Sequence, residues 1–563
     1  MKNKRITQSL SIALTLLVVL LSACAAPQPE KVIETVQVET VKTVEVQVEG
    51  ETKVIQPTAA AQSLLMPAPT QAPRLEEAPL ATAPFTPLPQ PTMTSGGTGL
   101  MATPPPPDNY FLNYGVNPFE DPREDRLSTF ALDVDTASYT VARRYVMDGN
   151  LPPADAIRVE EFVNYFDMGY PTPDNIAFGI YADGAPSPFH TDGSYILRIG
   201  IQGYQVSEAE RKPASLTFVI DVSGSMEMEN RLELVKQSLQ LLVDRLRPND
   251  TVAIVVYGSE ARIVLNPTSG EDRNRILSAI YSLQTEGATN AEAGLRLGYQ
   301  MAYQAFRPNA INRVILCSDG VANVGNTGPD AILESIVGYA NQGITLTSVG
   351  FGMGNFNDVL MEQLADKGNG NYAYIDDLDE ARRLFVDNLT STLQVIAMDA
   401  KVQVDFNPDV VNRYRLIGYE NRAVADQDFR NDAVDAGELG AGHSATALYA
   451  VLLNPGAQGR LATVSLRWQD PNTLAVSEIN GNFNTWDLSP SFESAAPRYQ
   501  LAVVAAQYAE LLRFSPWARG TSIGQILQHA VRLSGLLPTD TDVSELVTLI
   551  SRASQIQAIS QWR

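Results

Sequence analysis

Three oxygen-bearing side chains stand at alternate positions just after an apolar run. Asp221, Ser223 and Ser225 follow residues 216–220, whose composition predicts a buried parallel strand. Ligands of doubly wound sheets bind outside the carboxyl ends of the strands, so this turn is expected to face a ligand. Carboxylate and hydroxyl oxygens are hard donors, and they suit Mg²⁺ or a similar divalent cation.

Two further polar positions are expected at the same end of the sheet. Thr289 lies in a loop just before a predicted helix at residues 290–303, and Asp319 follows a predicted buried strand at residues 313–317. Taken singly, the hydroxyl residues are explained equally well as helix caps or turns, and Asp319 followed by glycine as a simple turn. The five residues together favour a metal site.

The Asp-x-Ser-x-Ser motif at 221–225, followed by Thr289 and Asp319 in that order, resembles the metal-ion-dependent adhesion site of von Willebrand factor A domains. The resemblance implies that Ser223 and Ser225 bind Mg²⁺, or Mn²⁺ or Ca²⁺, through their hydroxyls. Thr289 would bind directly or through water, and Asp221 and Asp319 would supply charge. It also implies an open coordination position for an Asp or Glu of a protein partner, since that family usually binds proteins and does not catalyse.

The pattern around these residues predicts the elements that position them. Residues 205–396 alternate short apolar runs with helical periodicity, which is typical of an α/β fold with a doubly wound, mostly parallel, Rossmann-like sheet. Residues 175–204 and 398–480 alternate apolar and polar positions as antiparallel strands do, and residues 495–556 are predicted to be helical. Our hypothesis is that the two strand-rich segments pair into one β-sandwich, into which the α/β domain is inserted.

The amino terminus has the features of an export signal. Lys2, Lys4 and Arg5 precede an apolar stretch at 12–21, and the sequence before Cys24 resembles a bacterial lipobox. We therefore expect a lipoprotein signal peptide at 1–23 and acylation of Cys24, which would anchor the chain to the outer, extracytoplasmic face of a cell membrane. An ordinary signal peptide with a chance cysteine is the alternative.

Segment boundaries follow from composition. Residues 24–108 are a valine-rich and proline-rich linker, with 13 of the 35 prolines at 56–108. An N-terminal extension is predicted at 109–204, the von Willebrand factor A domain at 205–396, and a β-rich then helical C-terminal domain at 397–563. Residues 379–393 are predicted to form one helix, with Asp376 and Asp377 at its solvated start.

Charge and composition exclude several classes of function. The formal net charge of −23 comes from 64 acids and 41 bases, and no basic stripe offsets it, which argues against nucleic acid as a partner. The three histidines are far apart, so neither a zinc site nor a histidine-based triad is indicated. Cys317 lies in an apolar run and is predicted to be buried.

The resemblance extends from about residue 110 to 560. Residues 130–139, 151–161, 442–449 and 511–516 resemble segments of a group of bacterial von Willebrand factor A lipoproteins. The leading interpretation is an adhesion or scaffolding protein. An envelope assembly or chaperone-like factor acting on secreted proteins is the alternative, and a metal-dependent hydrolase is disfavoured because no general base or nucleophile elbow accompanies the site.

Overall fold

A computed structural model of the chain describes residues 109–132, 134–174, 176–320, 334, 336–354 and 356–560. Helices and strands alternate in the central region, and most of the remaining strands lie before and after that region. In chain order the elements up to the end of the central region are β1 (Leu127–Ala131), α1 (Ala137–Met147), α2 (Val159–Asn164), β2 (Phe178–Pro186), β3 (Tyr195–Gly203), β4 (Ala214–Asp221), α3 (Arg231–Val243), β5 (Thr251–Tyr257), β6 (Ala261–Ser269), α4 (Arg273–Tyr281), α5 (Ala291–Gln304), β7 (Ile311–Ser318), β8 (Ile344–Phe351), α6 (Asp358–Lys367), β9 (Tyr372–Ile375), α7 (Leu378–Arg382) and α8 (Leu389–Leu393).

Nine further elements complete the described part of the chain. They are β10 (Val395–Phe406), β11 (Val411–Ile417), β12 (Gly437–Gly440), β13 (Ser444–Leu453), β14 (Arg460–Gln469), β15 (Val476–Asn484), α9 (Pro497–Leu512), α10 (Ile523–Leu536) and α11 (Thr541–Ser560). No helix in this part is both long and apolar enough to cross a membrane.

The central region is a doubly wound sheet in the order β6-β5-β4-β7-β8-β9. All neighbouring strands run parallel except β5 and β6, which form an antiparallel pair. The chain leaves β4 toward β5 on one side and returns through α5 to β7 on the other, so the strand order reverses between β4 and β7. Such a switch point is where open α/β sheets form a ligand-binding crevice. The α/β fold class is therefore confirmed.

Both faces of this sheet are buried, as the nearly continuous apolar strands require. One face packs against α3, α4, α7 and α8. The other packs against α5 and α6, and there the N-terminal helix α1 also contributes Ala137, Val141 and Tyr145 to the core. Thr140 of α1 donates a 2.9 Å hydrogen bond to the carbonyl of Tyr374 in β9. The N-terminal extension thus forms part of the cover of the central sheet.

The strand-rich segments on either side of the central region share two antiparallel sheets. One has the order β11-β13-β3-β2, and the other the order β1-β10-β14-β15, with β12 paired to β10. Strand β3 pairs with β13 over eight residues, from Gln202 opposite Ser444 to Tyr195 opposite Val451. Apolar side chains of both sheets meet in one core that includes Phe178, Ile199, Val402 and Leu466. The predicted pairing of the two segments into one sandwich is confirmed.

A second core joins the short helix α2 to the C-terminal helices. Phe162 of α2 and Tyr139 of α1 pack in the same apolar cluster as Tyr499 and Tyr508 of α9 and Leu546 of α11. The predicted helical region at 495–556 is present as three helices, α9, α10 and α11. The described part of the chain therefore brings together residues from its beginning and its end in two places.

Two predictions from the sequence are corrected. Residues 379–393 were expected to form one helix, but the structure has α7, a π-helical turn at Arg383–Asp387 and α8. Asp377 does cap α7 by accepting hydrogen bonds from Asp379 and Glu380. Asp376, expected to be solvated, is instead buried against Arg143 of α1, because that guanidinium arrives from far away in the sequence.

Candidate functional site

The first acidic residue of the motif is the last residue of β4. Asp221 lies opposite Tyr257 of β5 and is fully buried. Its Oδ1 accepts a hydrogen bond from the backbone N–H of Ser223 at 2.8 Å, which closes a tight turn directly after the strand. Its Oδ2 accepts the hydroxyl of Ser318, the last residue of β7, at 3.1 Å. Both carboxylate oxygens are thus fixed at the switch point of the sheet.

The two serines of the motif face each other. The Ser223 and Ser225 hydroxyl oxygens lie 3.0 Å apart, with Ser223 buried and Ser225 partly exposed. The alternative that Ser223 only caps a helix is not supported, because its side chain makes no cap hydrogen bond at the 3₁₀ turn that follows. The pair forms a small cradle of hydroxyl oxygens next to Asp221.

The loop that carries Thr289 lies against this turn. The backbone N–H of Glu286 donates to the carbonyl of Val222 at 2.6 Å, and the N–H of Gly224 donates to the carbonyl of Gly287 at 3.2 Å. Thr289 itself is partly buried. The cap of α5 is Asn290, whose side chain accepts from the N–H of Ala293, so Thr289 is not the capping residue.

The second acidic residue follows β7. Asp319 is buried, and its Oδ2 accepts a 2.9 Å hydrogen bond from Nη1 of Arg231. Its Oδ1 is also buried and has no hydrogen-bond partner among the described residues. Buried carboxylate oxygens are normally satisfied, so this orphaned acceptor is the feature of the site that most needs a ligand.

Arg231, the first residue of α3, is a part of the site that sequence reasoning missed. Besides Asp319, its guanidinium contacts the carbonyl of Ser225 at 3.4 Å and donates to the carbonyl of Met353. Glu229 and Asn230 just before it have left-handed backbone conformations, with φ of 51° and 57°. Such conformations are strained for these residues and cluster at functional sites. A positively charged arginine is unfavourable at a helix N-terminus, because the helix dipole is positive there. This unusual placement is the feature of the sequence that could have pointed to Arg231.

Burial sets the electrostatics of the first carboxylate. Desolvation, and then the charge of Asp319, raise the pKa of Asp221 from its ordinary value to about 6, although hydrogen bonds from Ser223 and Ser318 lower it. Two acids confined together at the end of a sheet repel each other. A cation placed between them would relieve both the repulsion and the desolvation.

The donor set fits a hard divalent cation. Ser223 and Ser225 offer paired hydroxyls, Asp221 and Asp319 offer charge, and Oδ1 of Asp319 offers an acceptor that nothing else satisfies. Within the described ranges, no three His, Cys, Asp or Glu side chains form a group that would hold a metal. Hydroxyl oxygens would therefore have to supply part of the coordination, as the resemblance implied.

Of the two cysteines, only Cys317 lies in the part of the chain that the structure describes. Cys317 is buried as predicted, and burial raises the pKa of its thiol. Cys24, the signal peptide at 1–23 and the linker at 24–108 lie outside the described residues.

Comparisons with known proteins identify the family of the central domain and of its flanks. Residues 215–387 match the family model described as "von Willebrand factor type A domain", residues 106–197 match "von Willebrand factor", and residues 391–460 match "Uncharacterized protein YfbK, C-terminal". The central match spans the switch point and all five predicted site residues.

Individual relatives cover more of the chain. "Uncharacterized protein YfbK" of Escherichia coli (strain K12) is 36% identical over 477 residues, which are 80% of this chain and 82% of that protein. "Uncharacterized protein sll0103" of Synechocystis sp. is 30% identical over 189 residues, 34% of this chain and 44% of that protein. Among solved structures, "von Willebrand factor type A from Catenulispora acidiphila" is 16% identical, with a TM-score of 0.40, covering 67% of this chain and 91% of that one. By its extended identity to YfbK and its central domain match, the chain belongs to the bacterial von Willebrand factor A protein family that includes YfbK.

Proposed function

We propose that the chain binds a protein partner through a divalent cation held at the end of β4 and β7. The cation would be held by the hydroxyls of Ser223 and Ser225 and by Thr289, with Asp221 and Asp319 supplying charge. The observation that carries the proposal is the buried, unpartnered Oδ1 of Asp319 beside a hydroxyl pair and a second buried carboxylate.

The charge balance of this set favours an acidic partner group. Neutral hydroxyls leave most of the charge of a dication uncompensated, and Arg231 already neutralises part of Asp319. A metal in such surroundings attracts one more anionic ligand, which an Asp or Glu side chain of a partner would supply. Von Willebrand factor A domains commonly mediate protein interactions through a metal site, which supports the same role for this chain. Mg²⁺ is the preferred candidate, with Mn²⁺ and Ca²⁺ as alternatives.

The proposed role is adhesion or scaffolding and not catalysis. The side chains that meet at the site are hydroxyls, carboxylates and one guanidinium. Hydroxyls and carboxylates that hold a cation suit binding. The proposed location is the extracytoplasmic face of a membrane, with acylated Cys24 as the anchor and the proline-rich segment as a spacer.

The test is calorimetric titration of Mg²⁺ into the full chain and two serine variants. Ser223→Ala removes one proposed ligand. Ser238→Ala is the matched control, because Ser238 is an equally buried serine whose hydroxyl bonds only to the carbonyl of Leu234 within α3. We expect one Mg²⁺ per chain in the wild type and the control, and at least about tenfold weaker binding in Ser223→Ala. Equal binding by both variants, or none in the wild type, contradicts the proposed site.

The partner class is tested next with metal-dependent crosslinking in cells. A protein crosslinked by the wild type in Mg²⁺, lost on chelation and in Ser223→Ala, supports metal-mediated binding. If the partner is another exported protein caught during its assembly, the chaperone-like alternative is favoured over adhesion. Crosslinks that are indifferent to chelation place the partner surface elsewhere and contradict the proposal.

A further inference from the structure

A cavity of about 310 Å³ lies at the opposite end of the central sheet from the candidate metal site. It is bounded by the starts of β7 and β8, by the segment at 393–398 that connects the central domain to the sandwich, and by the turn between β14 and β15. The volume is that of about ten water molecules, which leaves room for a small solute. The candidate metal site uses none of these residues.

The charge of the cavity is unusual for this chain. Its described lining includes two bases, Arg313 and Lys212, and no Asp or Glu, although the whole sequence carries 64 acids and 41 bases. The other polar lining residues are mostly amides, such as Gln394 and Asn472, which also offer N–H donors. In a molecule with a formal charge of −23, a concave surface of this kind is a local attractor for anions.

Arg313 is a buried cation without a counter-ion. It lies in β7 and is 2% exposed, and its Nη1 donates to three neutral oxygens: Thr347 Oγ1 at 2.8 Å, Asn371 Oδ1 at 3.2 Å and the carbonyl of Thr392 at 2.5 Å. Its Nε is buried with no hydrogen-bond partner, and the guanidinium forms no ion pair with the described residues. Buried charges are normally paired, so this arrangement needs an explanation.

Glu438 is the acidic residue whose charge acts on Arg313, but it does not form an ion pair with that guanidinium. Glu438 acts on Arg313 through space but makes no hydrogen bond or ion pair with it in the described structure, and its own Oε1 is unpartnered. Burial, followed by the charges of Asp435 and Asp366, raises the pKa of Glu438 well above its ordinary value, which disfavours its ionised form. Burial without a paired anion correspondingly lowers the pKa of Arg313 to about 10.

Lys212 is the second base of the lining. Its ammonium group donates to Oδ1 of Asn472 and forms no ion pair with the described residues, while its backbone N–H donates to Oε1 of Gln394 at 2.9 Å. These two contacts join three segments in the wall of the cavity. Lys212 lies just before the central domain, Gln394 just after it, and Asn472 in the turn between β14 and β15.

We propose that this cavity binds a small oxyanion, bearing either phosphate or carboxylate oxygens, that is held by Arg313 and Lys212. The anion supplies the counter-charge that Arg313 lacks, and it accepts from donors on three separate segments. Its binding therefore stiffens the junction between the central domain and the sandwich.

The experiment titrates inorganic phosphate and, separately, succinate into the full chain by calorimetry, with chloride adjusted to hold the ionic strength constant. The variants are Arg313→Met and Lys212→Met. The control is Arg273→Met, which removes an exposed arginine of α4 that pairs with Asp244 and does not line the cavity. Lys212→Met keeps the test valid if Arg313→Met fails to fold, because Lys212 is only partly buried.

We expect one anion per chain in the wild type and the control, and at least about tenfold weaker binding in both cavity variants. Binding of phosphate alone identifies a phosphate ligand, binding of succinate alone identifies a carboxylate, and binding of both identifies a general oxyanion site. The absence of saturable binding of either probe, or equal binding by Lys212→Met and Arg273→Met, overturns the proposal. The Mg²⁺ titrations do not bear on this result, so the two sites fail or succeed separately.

Discussion

Arg231 determines the charge balance of the candidate metal site. Two ionised carboxylates and one guanidinium give the set of Asp221, Asp319 and Arg231 a formal charge of −2 + 1 = −1. A bound dication would bring the set to −1 + 2 = +1. The guanidinium therefore weakens the attraction for the cation and strengthens the attraction of the loaded site for an anionic partner group.

Arg231→Gln separates these two effects, because glutamine keeps a hydrogen-bond donor without the charge. We expect Mg²⁺ to bind the variant at least about fivefold more tightly, since even a modestly screened unit charge nearby is worth about 1 kcal/mol. Acetate should then bind the Mg²⁺-loaded variant more weakly than it binds the loaded wild type. Calorimetry measures both constants. Weaker Mg²⁺ binding by Arg231→Gln would show that orientation of Asp319 outweighs charge repulsion.

We expect the buried imidazole of His443 to make the stability of the fold sensitive to acid. Burial, and then the charge of Arg313, lower the pKa of His443 to about 4, and its Nδ1 is buried without a partner among the described residues. Glu380 and Arg383 line the cavity beside it. Because the folded pKa is depressed, the stabilisation from neutral His443 is complete above the unfolded value of about 6.5 and is lost as pH falls toward 4.

His443→Asn should therefore change the pH dependence of stability. Between pH 7 and about pH 4.5, we expect the free energy of unfolding of the wild type to fall by about 2–3 kcal/mol more than that of the variant. Urea unfolding at the two pH values measures the difference. Parallel losses in the two proteins would mean that a group other than His443 dominates the acid response.

At the scale of elements, the local patterns and the pairing of the two strand-rich segments were readable, whereas individual contacts between distant side chains were not. The turn after β4 was predicted because polar side chains at alternate positions follow a short apolar run directly. Arg231 was missed because its partners Asp319 and Met353 lie 88 and 122 residues away, and no local pattern encodes such contacts. Asp376 was misjudged for the same reason, since its partner Arg143 lies 233 residues away.

The interruption between α7 and α8 also involves contacts with residues that are distant in the sequence. The apolar periodicity of residues 379–393 fits one helix, but Arg383 at the π-helical turn donates to Asp542 of α11 and to the backbone of Tyr165. Both partners belong to other parts of the chain. The pairing of β1 with β10, in which Leu127 lies opposite Asp405, likewise depends on the tertiary fold.

Helix α5 approaches the central sheet at two glycines. A Cβ added to Gly298 would lie 2.2 Å from Cγ2 of Val219 in β4, and one added to Gly294 would lie 2.4 Å from Cδ1 of Tyr257 in β5. Because Thr289 comes just before this helix, the close approach also positions one of the proposed metal ligands. The spacing of helix and sheet is therefore linked to the geometry of the site.

Gly298→Ala tests this linkage. We expect it to lower the free energy of unfolding by about 1–3 kcal/mol, since the helix or Val219 must move to avoid the overlap, and to weaken Mg²⁺ binding as Thr289 shifts. Gly338→Ala is the control, because nothing lies within 4 Å of its added Cβ and alanine favours a helix. Urea titration and Mg²⁺ calorimetry of both variants measure the effects. A neutral Gly298→Ala would mean that the interface is not closely packed in solution.

Over the whole molecule, buried ion pairs connect the central domain to its flanks. Arg143 of α1 contacts Glu380 of α7 at 3.1 Å and Glu545 of α11 at 3.1 Å. Arg158, just before α2, contacts Asp358 of α6 at 2.6 Å. Pairs of this kind specify one arrangement of the segments they join, because removing either partner leaves a buried charge uncompensated.

The pairing of β3 with β13 predicts that the N-terminal extension stays bound when the chain is cut after β3. Residues 207–210 are exposed and lie between β3 and the central domain, so a protease site introduced there separates the N-terminal extension covalently from everything after it. Strand β3 lies inside its sheet, between β2 and β13, and nearly every residue of it is buried. Helix α2 adds a second apolar contact with α9. We expect the two fragments to co-elute in size-exclusion chromatography after complete cleavage and to separate only in denaturant.

This outcome depends on the pairing of distant segments and not on the number of residues in either fragment. If the extension were an independent domain on a tether, cleavage would release it without denaturant, and the pairing of β3 with β13 would have to be abandoned. Ile199→Asp sharpens the comparison, because it places a charge in the shared core of the two sheets. Cleaved Ile199→Asp should release the extension, whereas cleaved Ile263→Asp, altered at an exposed isoleucine of β6, should not. Retention in both cleaved variants would assign the association to α1 and α2 and not to the sandwich.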